Sequence, residues 1–360
     1  MRVLYHTFCP ECSFFFTLRS IFCAASLFAF IFIYTVLYAG EPFFWGFALD
    51  GYPITDNKLK EVESETGLSS DIVVFFLQWP SYEDVNKNHF PRKSLKTIWD
   101  AGAVPCITWE PMYYKDKSEI AIPYREILNG NYDSYMLAFA EDAKSWGKPF
   151  MIRFAHEMNI ERYHWGMNKQ DYGPESPDIY KQMFKYVVSF FKKNSVNNIL
   201  WVFCPNAESV PDVLYDKNAG WNQIENYYPG DAYVDILGID GYNWGTTKKK
   251  AMHGWDSQWK DFKEIFKAAH KKLLSISSRK PIIIFETASV NKGGNKTMWI
   301  KDTLDTAAVW NLGGIVWFQS NKEFDWRINS EGEYAYKGLV RQSTSQAQYW
   351  IDGIAKKAFK

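Results

Sequence analysis

The chain has 360 residues, with 41 Lys and Arg balanced by 41 Asp and Glu, so its formal net charge is zero. That balance argues against a nucleic acid or another polyanion as partner, which would want a clustered basic face. Aromatic residues make up 18% of the chain, an excess that suits either a carbohydrate groove, because flat rings stack on the C–H faces of sugars, or a large core joined to an aromatic membrane segment.

The N-terminal part comes first in chain order. No charged residue occurs from Ser20 to Gly40, and the run from Ile21 to Leu37 is apolar almost throughout. A helix of this length can cross a hydrocarbon layer about 30 Å thick. Arg2 and Arg19 precede it and Glu41 follows, so residues 1–19 are expected in the cytoplasm and the rest of the chain outside. The stretch is longer and bulkier than a signal-peptide core, and the best cleavage candidate, after Ala39, has Leu37 at the third position back. The expectation is therefore an uncleaved membrane anchor at 20–40, with secretion after cleavage as the alternative. Cys9, Cys12 and Cys23 precede the folded region and Cys106 and Cys204 lie within it, which is no disulfide framework. The Cys9/Cys12 pair lacks a second Cys pair, and incidental thiols explain it better than zinc does.

Beyond Pro42 one rhythm repeats: a short apolar run, a polar loop, an amphipathic helix. The runs are Phe44–Leu49, Ile72–Leu77, Val104–Trp109, Phe150–Phe154, Ile199–Cys204, Val234–Ile239, Ile282–Phe285 and Ile315–Phe318. They are continuous rather than alternating, as in strands covered on both faces. Apolar spacing of three and four predicts helices over Lys58–Thr66, Ser94–Ala101, Tyr132–Trp146, Pro177–Lys193, Ser257–Leu274 and Met298–Trp310. Gly102 and Gly147 follow two of them, as C-caps do. Eight strands alternating with helices predict a single (β/α)8 TIM barrel over residues 43–330, an α/β fold preceded by the N-terminal helix. A doubly wound open sheet is the alternative, and no GxGxxG follows the first strand to support it. Residues 331–360 are expected to form a C-terminal helical extension, with a helix from Ser343 to Phe359.

In such a barrel the chemistry sits at the C-terminal ends of the strands. The polar residues there are Asp50, Gln78, Glu110, His156 with Glu157, Asn206, Asp240 with Tyr242, Glu286 and Gln319. Glu157 and Glu286 close the fourth and seventh strands and can meet only by pointing inward over the mouth. A pair of carboxyls there suits glycoside hydrolysis, in which one protonates the leaving oxygen and the other attacks the anomeric carbon. Apolar neighbours of Glu157 (Phe154, Tyr163, Trp165) would raise its pKa, as a general acid needs, and Tyr242 can donate a hydrogen bond to Glu286. Arg153 reads as an internal ion-pair partner rather than a sugar ligand. Glu110 is a rival carboxylate, although Pro111 after it suggests a turn. Trp79 and Trp109 suit either core or subsite walls. The HisGluxxHis pattern, GxSxG and a phosphate-binding Gly-rich loop are all absent, so neither a metal nor another cofactor is expected.

The segment Arg153-Phe154-Ala155-His156-Glu157-Met158-Asn159, followed by Trp165-Gly166, resembles the acid/base motif of glycoside hydrolase family 26. Tyr227-Tyr228-Pro229-Gly230-Asp231 with Gly238-Ile239-Asp240-Gly241-Tyr242, and Pro281 through Thr287, are similar to that family's sixth-strand and nucleophile regions. The resemblance spans roughly residues 43–330. It implies a retaining endo-β-glycanase with Glu157 as acid/base, Glu286 as nucleophile, and His156 and Tyr242 in the subsite of the reacting sugar. Asn159, Arg162, Trp165, Trp109 and Trp317 complete the expected substrate-binding set. The family often has Gly after Asn159 and a Trp two residues later; here Ile160 and Arg162 stand there. An Arg at that place suits an acidic or substituted sugar, or faces solvent.

The expected function is endo-hydrolysis of a β-linked polysaccharide, with β-1,4-mannan as the leading substrate. The alternatives are a mixed-linkage β-glucanase, a tethered hydrolase that trims an exported exopolysaccharide, and a non-catalytic carbohydrate-binding barrel. The expected partners are the polysaccharide and, through the N-terminal helix, the membrane; nothing in the sequence sets an oligomeric state.

Overall fold

The computed structural model describes residues 43–87, 89–328 and 351. The expected membrane anchor, the Cys9/Cys12 pair and, apart from Ile351, the expected C-terminal extension lie outside the described residues. Among the described residues no helix is long and apolar enough to cross a membrane.

Eight parallel strands close into a barrel in the order β1 (Phe44–Leu49), β10 (Gly314–Phe318), β9 (Ile282–Ser289), β8 (Ile236–Asn243), β7 (Ile199–Phe203), β6 (Phe150–Phe154), β3 (Val104–Glu110) and β2 (Ile72–Gln78). The neighbours in the barrel follow the chain, as right-handed β–α–β units require. All eight predicted runs are barrel strands, and the open sheet is excluded by the closure between β1 and β10. Burial on both faces explains the continuous apolar runs: every residue of β1, β3, β6, β7, β9 and β10 is buried.

The helices in chain order are α1 (Asp56–Thr66), α2 (Arg92–Asp100), α3 (Tyr124–Leu128), α4 (Asp133–Trp146), α5 (Ser176–Lys193), α6 (Ile224–Tyr227), α7 (Lys250–His253), α8 (Phe262–Ile276) and α9 (Lys296–Trp310). Helix α5 shows how the pattern works: Ile179, Tyr180, Met183, Phe184, Val187, Val188 and Phe191 recur three and four apart and form its buried face. Gly147 ends α4 with a left-handed φ of 71° and returns its N–H to the Ala143 carbonyl.

Three differences from the sequence reading have a plain physical cause. The helix expected from Ser257 starts at Phe262, because Asp261 and Glu264 form a capping box that sets the first turn. Strands β8 and β9 run on to Asn243 and Ser289, because their polar ends still pair, Asp240 with Glu286 and Tyr242 with Ala288. The antiparallel hairpin β4 (Met112–Lys115) and β5 (Ser118–Ala121) is absent from the predicted elements. Asp116 and Lys117 take the two left-handed positions of its turn, at φ 50° and 66°. Asn-Gly normally signals such a turn, and Asp-Lys does not.

Candidate active site

The fourth barrel strand, β6, ends by leaving the extended conformation. Ala155 and Glu157 adopt positive φ of 48° and 50°, a conformation that costs a non-glycine residue of order 1–3 kcal/mol and persists only where the surroundings hold it. They are held: Ala155 N–H donates to the Trp109 carbonyl at 3.1 Å and Glu157 N–H to the Cys204 carbonyl at 2.8 Å. The resulting twist carries the Glu157 carboxyl to the barrel mouth, where Asn206 Nδ2 donates to its Oε1 at 2.6 Å.

Glu286 has different partners. Arg153 Nη2 bonds to its Oε1, and the Tyr242 hydroxyl donates to its Oε2 at 2.6 Å. Arg153 is fully buried; its Nη1 pairs with Asp240 Oδ2 at 2.5 Å, and its Nε and Nη2 donate to Thr108 Oγ1 at 3.0 and 2.6 Å. Burial opposes the guanidinium charge, and the flanking Asp240 and Glu286 carboxylates more than offset it, so the Arg153 pKa is raised further. Arg153 is thus the internal ion-pair partner that its position suggested, and Tyr242 makes the expected bond to Glu286. Burial, reinforced by the Glu286 charge, holds the Tyr242 phenol well above its ordinary pKa, so it remains a donor.

The Glu157 carboxyl is pushed up to about 7, first by burial and then by the Glu286 charge, with the Asn206 bond opposing. The two carboxyls therefore sense one another across the mouth. His156, buried beside Phe76 and 4.6 Å from the Tyr163 ring, has its pKa driven well down by burial and by Arg153, so it is a neutral imidazole. Ligand atoms of His156, Asp240 and Glu286 lie within 4.8 Å of one another. A metal ion would have to compete there with Arg153, which already pairs with both carboxylates. The arrangement can supply a proton from one carboxyl and a fixed carboxylate as nucleophile from the other.

Aromatic rings flank the pair. On one side Tyr163 stacks on Trp165 at 5.0 Å, and Trp165 Nε1 donates to the His156 carbonyl at 2.6 Å. On the other, Tyr242 packs against Phe318 and Trp326, with Trp244 5.0 Å from Trp326.

Three expected sugar contacts are corrected. Trp109 faces the helix layer, against Tyr135, Phe139 and Phe191, and its Nε1 donates to the Tyr135 hydroxyl. Trp317 faces the same layer, 5.9 Å from Trp299 of α9. Strand alternation puts both on the outer face of the barrel, away from the mouth. Asn159 is fully buried and clamps the loop after β7: its Nδ2 donates to the Asn206 carbonyl at 2.9 Å and its Oδ1 accepts from the Asn206 N–H at 2.8 Å. It positions Asn206 rather than meeting sugar. Arg162 lies over the Tyr163 ring at 4.8 Å and pairs with Glu119 of β5, its Nη1 and Nη2 lying 2.6 and 2.7 Å from the two carboxylate oxygens. Its charge is matched within the chain.

Asn206, Asp240 and Tyr163 belong to the site as well. Asn206 and Asp240 stand among the strand-end residues in the sequence, but which of them touches a catalytic carboxyl depends on side-chain reach across the barrel, for which one sequence carries no signal.

Comparison with known proteins agrees with this geometry. The sequence profile described as glycosyl hydrolase family 26 matches residues 106–305, more than half of the chain. Endoglucanase H of Acetivibrio thermocellus is 34% identical over 295 residues, covering 81% of this chain and 30% of that protein. A mannan endo-1,4-beta-mannosidase of Bacillus subtilis is 29% identical over 182 residues, 45% of this chain and 46% of the relative. The chain thus spans less than half the length of either relative. Among solved structures, Bacillus subtilis mannanase man26 has the same fold, with a TM-score of 0.57 at 16% identity, covering 82% of this chain and 85% of that one. With the profile covering both strand ends that carry the paired glutamates, on a closed barrel of eight parallel strands, the chain belongs to glycosyl hydrolase family 26.

Proposed function

We propose that the protein is a retaining endo-β-glycanase that cleaves β-linked polysaccharide by double displacement, with β-1,4-mannan as its first substrate. The observation that carries this reading is the pair of buried carboxyls with opposite environments. Glu157, with a pKa pushed up to about 7, holds a proton near neutrality. Glu286 is bonded through both oxygens by Arg153 and Tyr242. In the first step Glu157 protonates the glycosidic oxygen as Glu286 attacks the anomeric carbon and the leaving sugar departs. In the second, Glu157 takes a proton from water, which displaces Glu286 from the sugar. His156 and Tyr242, beside the pair, contact the reacting sugar, and Tyr163 backed by Trp165 lines the cleft.

The test is product analysis with the full-length chain on mannan, mixed-linkage glucan and β-1,3-xylan. Mannan oligosaccharides released first as the β-anomer are expected; the α-anomer first would show inversion. Glu286→Ala is expected to abolish turnover. Glu157→Ala is expected to lose roughly 10²–10⁴-fold on natural glycan and far less on aryl glycosides, whose leaving groups need no proton. Equal losses on both substrates would contradict the acid role.

Cleavage of β-glucan is the second reading, favoured by the relative that covers 81% of the chain and carries the name endoglucanase. Residues 20–40 are proposed as the anchor that holds residues 43–330, the catalytic domain, outside the cytoplasm. The uncharged run supports this. Protease accessibility of the barrel in intact cells, with retention in the membrane fraction, tests the anchor against secretion.

A further inference from the structure

The mouth of the barrel holds a third carboxyl that double displacement leaves unused. Thr108 faces into the barrel, where its hydroxyl meets Arg153. Glu110 lies two residues further along β3, so it faces the same way, one pleat nearer the mouth. On the neighbouring strand β2, Phe76 faces inward against His156 and Phe318, and Gln78, two residues on, faces inward above it. The register pairs Gln78 with Glu110, and Gln78 Nε2 donates to Glu110 Oε2 at 2.5 Å.

That bond satisfies one oxygen. Among the described residues no donor bonds to Glu110 Oε1, although the residue is only 3% exposed. That oxygen is not among the fully buried unpartnered atoms, so it faces the cleft and is free to accept from a ligand hydroxyl. Among the described residues this carboxyl has no ion-pair partner: Arg153 bonds to Thr108, Asp240 and Glu286, and Arg162 to Glu119. Burial pushes the Glu110 pKa up to about 7, the Gln78 bond and Arg153 oppose this, and the Glu286 and Glu119 charges add to it. After burial, the charges of Glu157, Glu110 and Glu286 all act on the Tyr163 hydroxyl, so all three carboxyls lie within electrostatic reach of it.

A sugar presents hydroxyl donors on adjacent ring carbons. Glu110 Oε1 and Gln78 Oε1, side by side on paired strands, are two acceptors for such donors, and the Gln78 amide is oriented by its own bond to Glu110. We propose that Gln78 and Glu110 form a sugar-binding subsite beside the catalytic pair, in which Glu110 accepts from a hydroxyl of a glycan unit flanking the scissile bond and helps to select that unit. The inference rests on the glycanase reading and adds to it a specificity-determining residue on β3.

The experiment measures binding of β-1,4-linked manno- and gluco-oligosaccharides to the full-length Glu157→Gln chain by calorimetry as pH varies. Burial raises Asp240 as well, but Asp240 is bonded to Arg153 in every variant, so the part of the pH dependence that Glu110→Gln removes is the part that belongs to Glu110. Affinity is expected to fall as pH drops through about 7, because protonation removes the charged acceptor. Adding Glu110→Gln is expected to weaken binding at alkaline pH by about tenfold, the loss of one charge-assisted hydrogen bond, and to flatten the pH dependence. In the otherwise unaltered chain, Glu110→Gln should raise KM with a much smaller change in kcat. If the unaltered chain hydrolyses no β-glycan, the glycanase reading fails and the subsite falls with it. If hydrolysis proceeds but Glu110→Gln leaves affinity, KM and pH dependence unchanged, the subsite is overturned and the glycanase reading stands. Should the double variant not fold, as judged by loss of a cooperative melt, the Glu157→Gln chain decides alone: affinity independent of pH across neutrality overturns the proposal.

Discussion

Glu157, Glu286 and Glu110 are one residue type in three environments, and the differences come from what reaches each carboxyl. Burial and the Glu286 charge raise the Glu157 pKa, while Asn206 donates to its carboxylate and so opposes the rise. The sign for catalysis follows. Glu157 must carry a proton in the first step, so kcat/KM should fall as pH rises above about 7. Asn206→Ala removes a bond that favours the charged form, so the alkaline limb should move to higher pH. Activity at the optimum should fall by roughly tenfold as the acid loses its orientation. A pH–rate profile of the two chains checks this; an alkaline limb that moves down or stays in place would remove Asn206 from the acid's environment. Arg162 shows the same dependence on partners. In the sequence it suits an acidic or substituted sugar or faces solvent, and in the fold it is matched by Glu119.

The strands owe their closeness to small residues at chosen places. Gly46 of β1 pairs with Ile72 of β2, and a Cβ there would stand 2.2 Å from the Ile72 carbonyl oxygen. The obstruction is backbone, so no rotamer change relieves it, and the two strands would have to part at the barrel's first seam. Gly46→Ala is expected to destabilise the fold by about 2–3 kcal/mol, read as a lower midpoint in denaturant-induced unfolding. A midpoint unchanged within error would mean that the seam is more open than the structure places it. The loop elements carry the site in a similar way: Asn159 fastens the loop after β7 and thereby aims Asn206.

At the scale of the molecule, Arg153 ties the barrel together through its interior. It joins β6 to Thr108 of β3, Asp240 of β8 and Glu286 of β9. Removing one partner of a buried ionic cluster leaves uncompensated charge, at about 3–5 kcal/mol. Arg153→Met should therefore destabilise the protein by that order, besides abolishing activity, and the loss should shrink when Asp240→Asn is added, because one orphaned charge is then gone. Urea unfolding of the single and double variants tests the coupling; strictly additive losses would show that Arg153 acts at each carboxylate separately. The same residue links stability to chemistry, since the guanidinium that holds the barrel interior also fixes the Glu286 carboxylate.

The sequence by itself determined the eight strands, six of the helices, the positions of Glu157 and Glu286 at opposed strand ends, and the resemblance to the family that the profile match bears out. These are local properties: apolar periodicity follows from which faces are buried, and a strand's last residues lie at the barrel mouth whatever surrounds them. Tertiary structure alone decided which way each side chain faces and which partner it meets. Trp109 reads as either core or subsite wall, and Trp317 as a sugar contact, until the pleat turns both toward the helices. Asn159 reads as a substrate contact until the loop after β7 closes over it. Glu110 reads as a rival carboxylate at a strand end, and its partner, Gln78, is known only when β2 comes beside it. Those outcomes depend on partners that lie on other elements, 32 positions away for Gln78 and Glu110 and 47 for Asn159 and Asn206, and such pairs meet only once the barrel has closed.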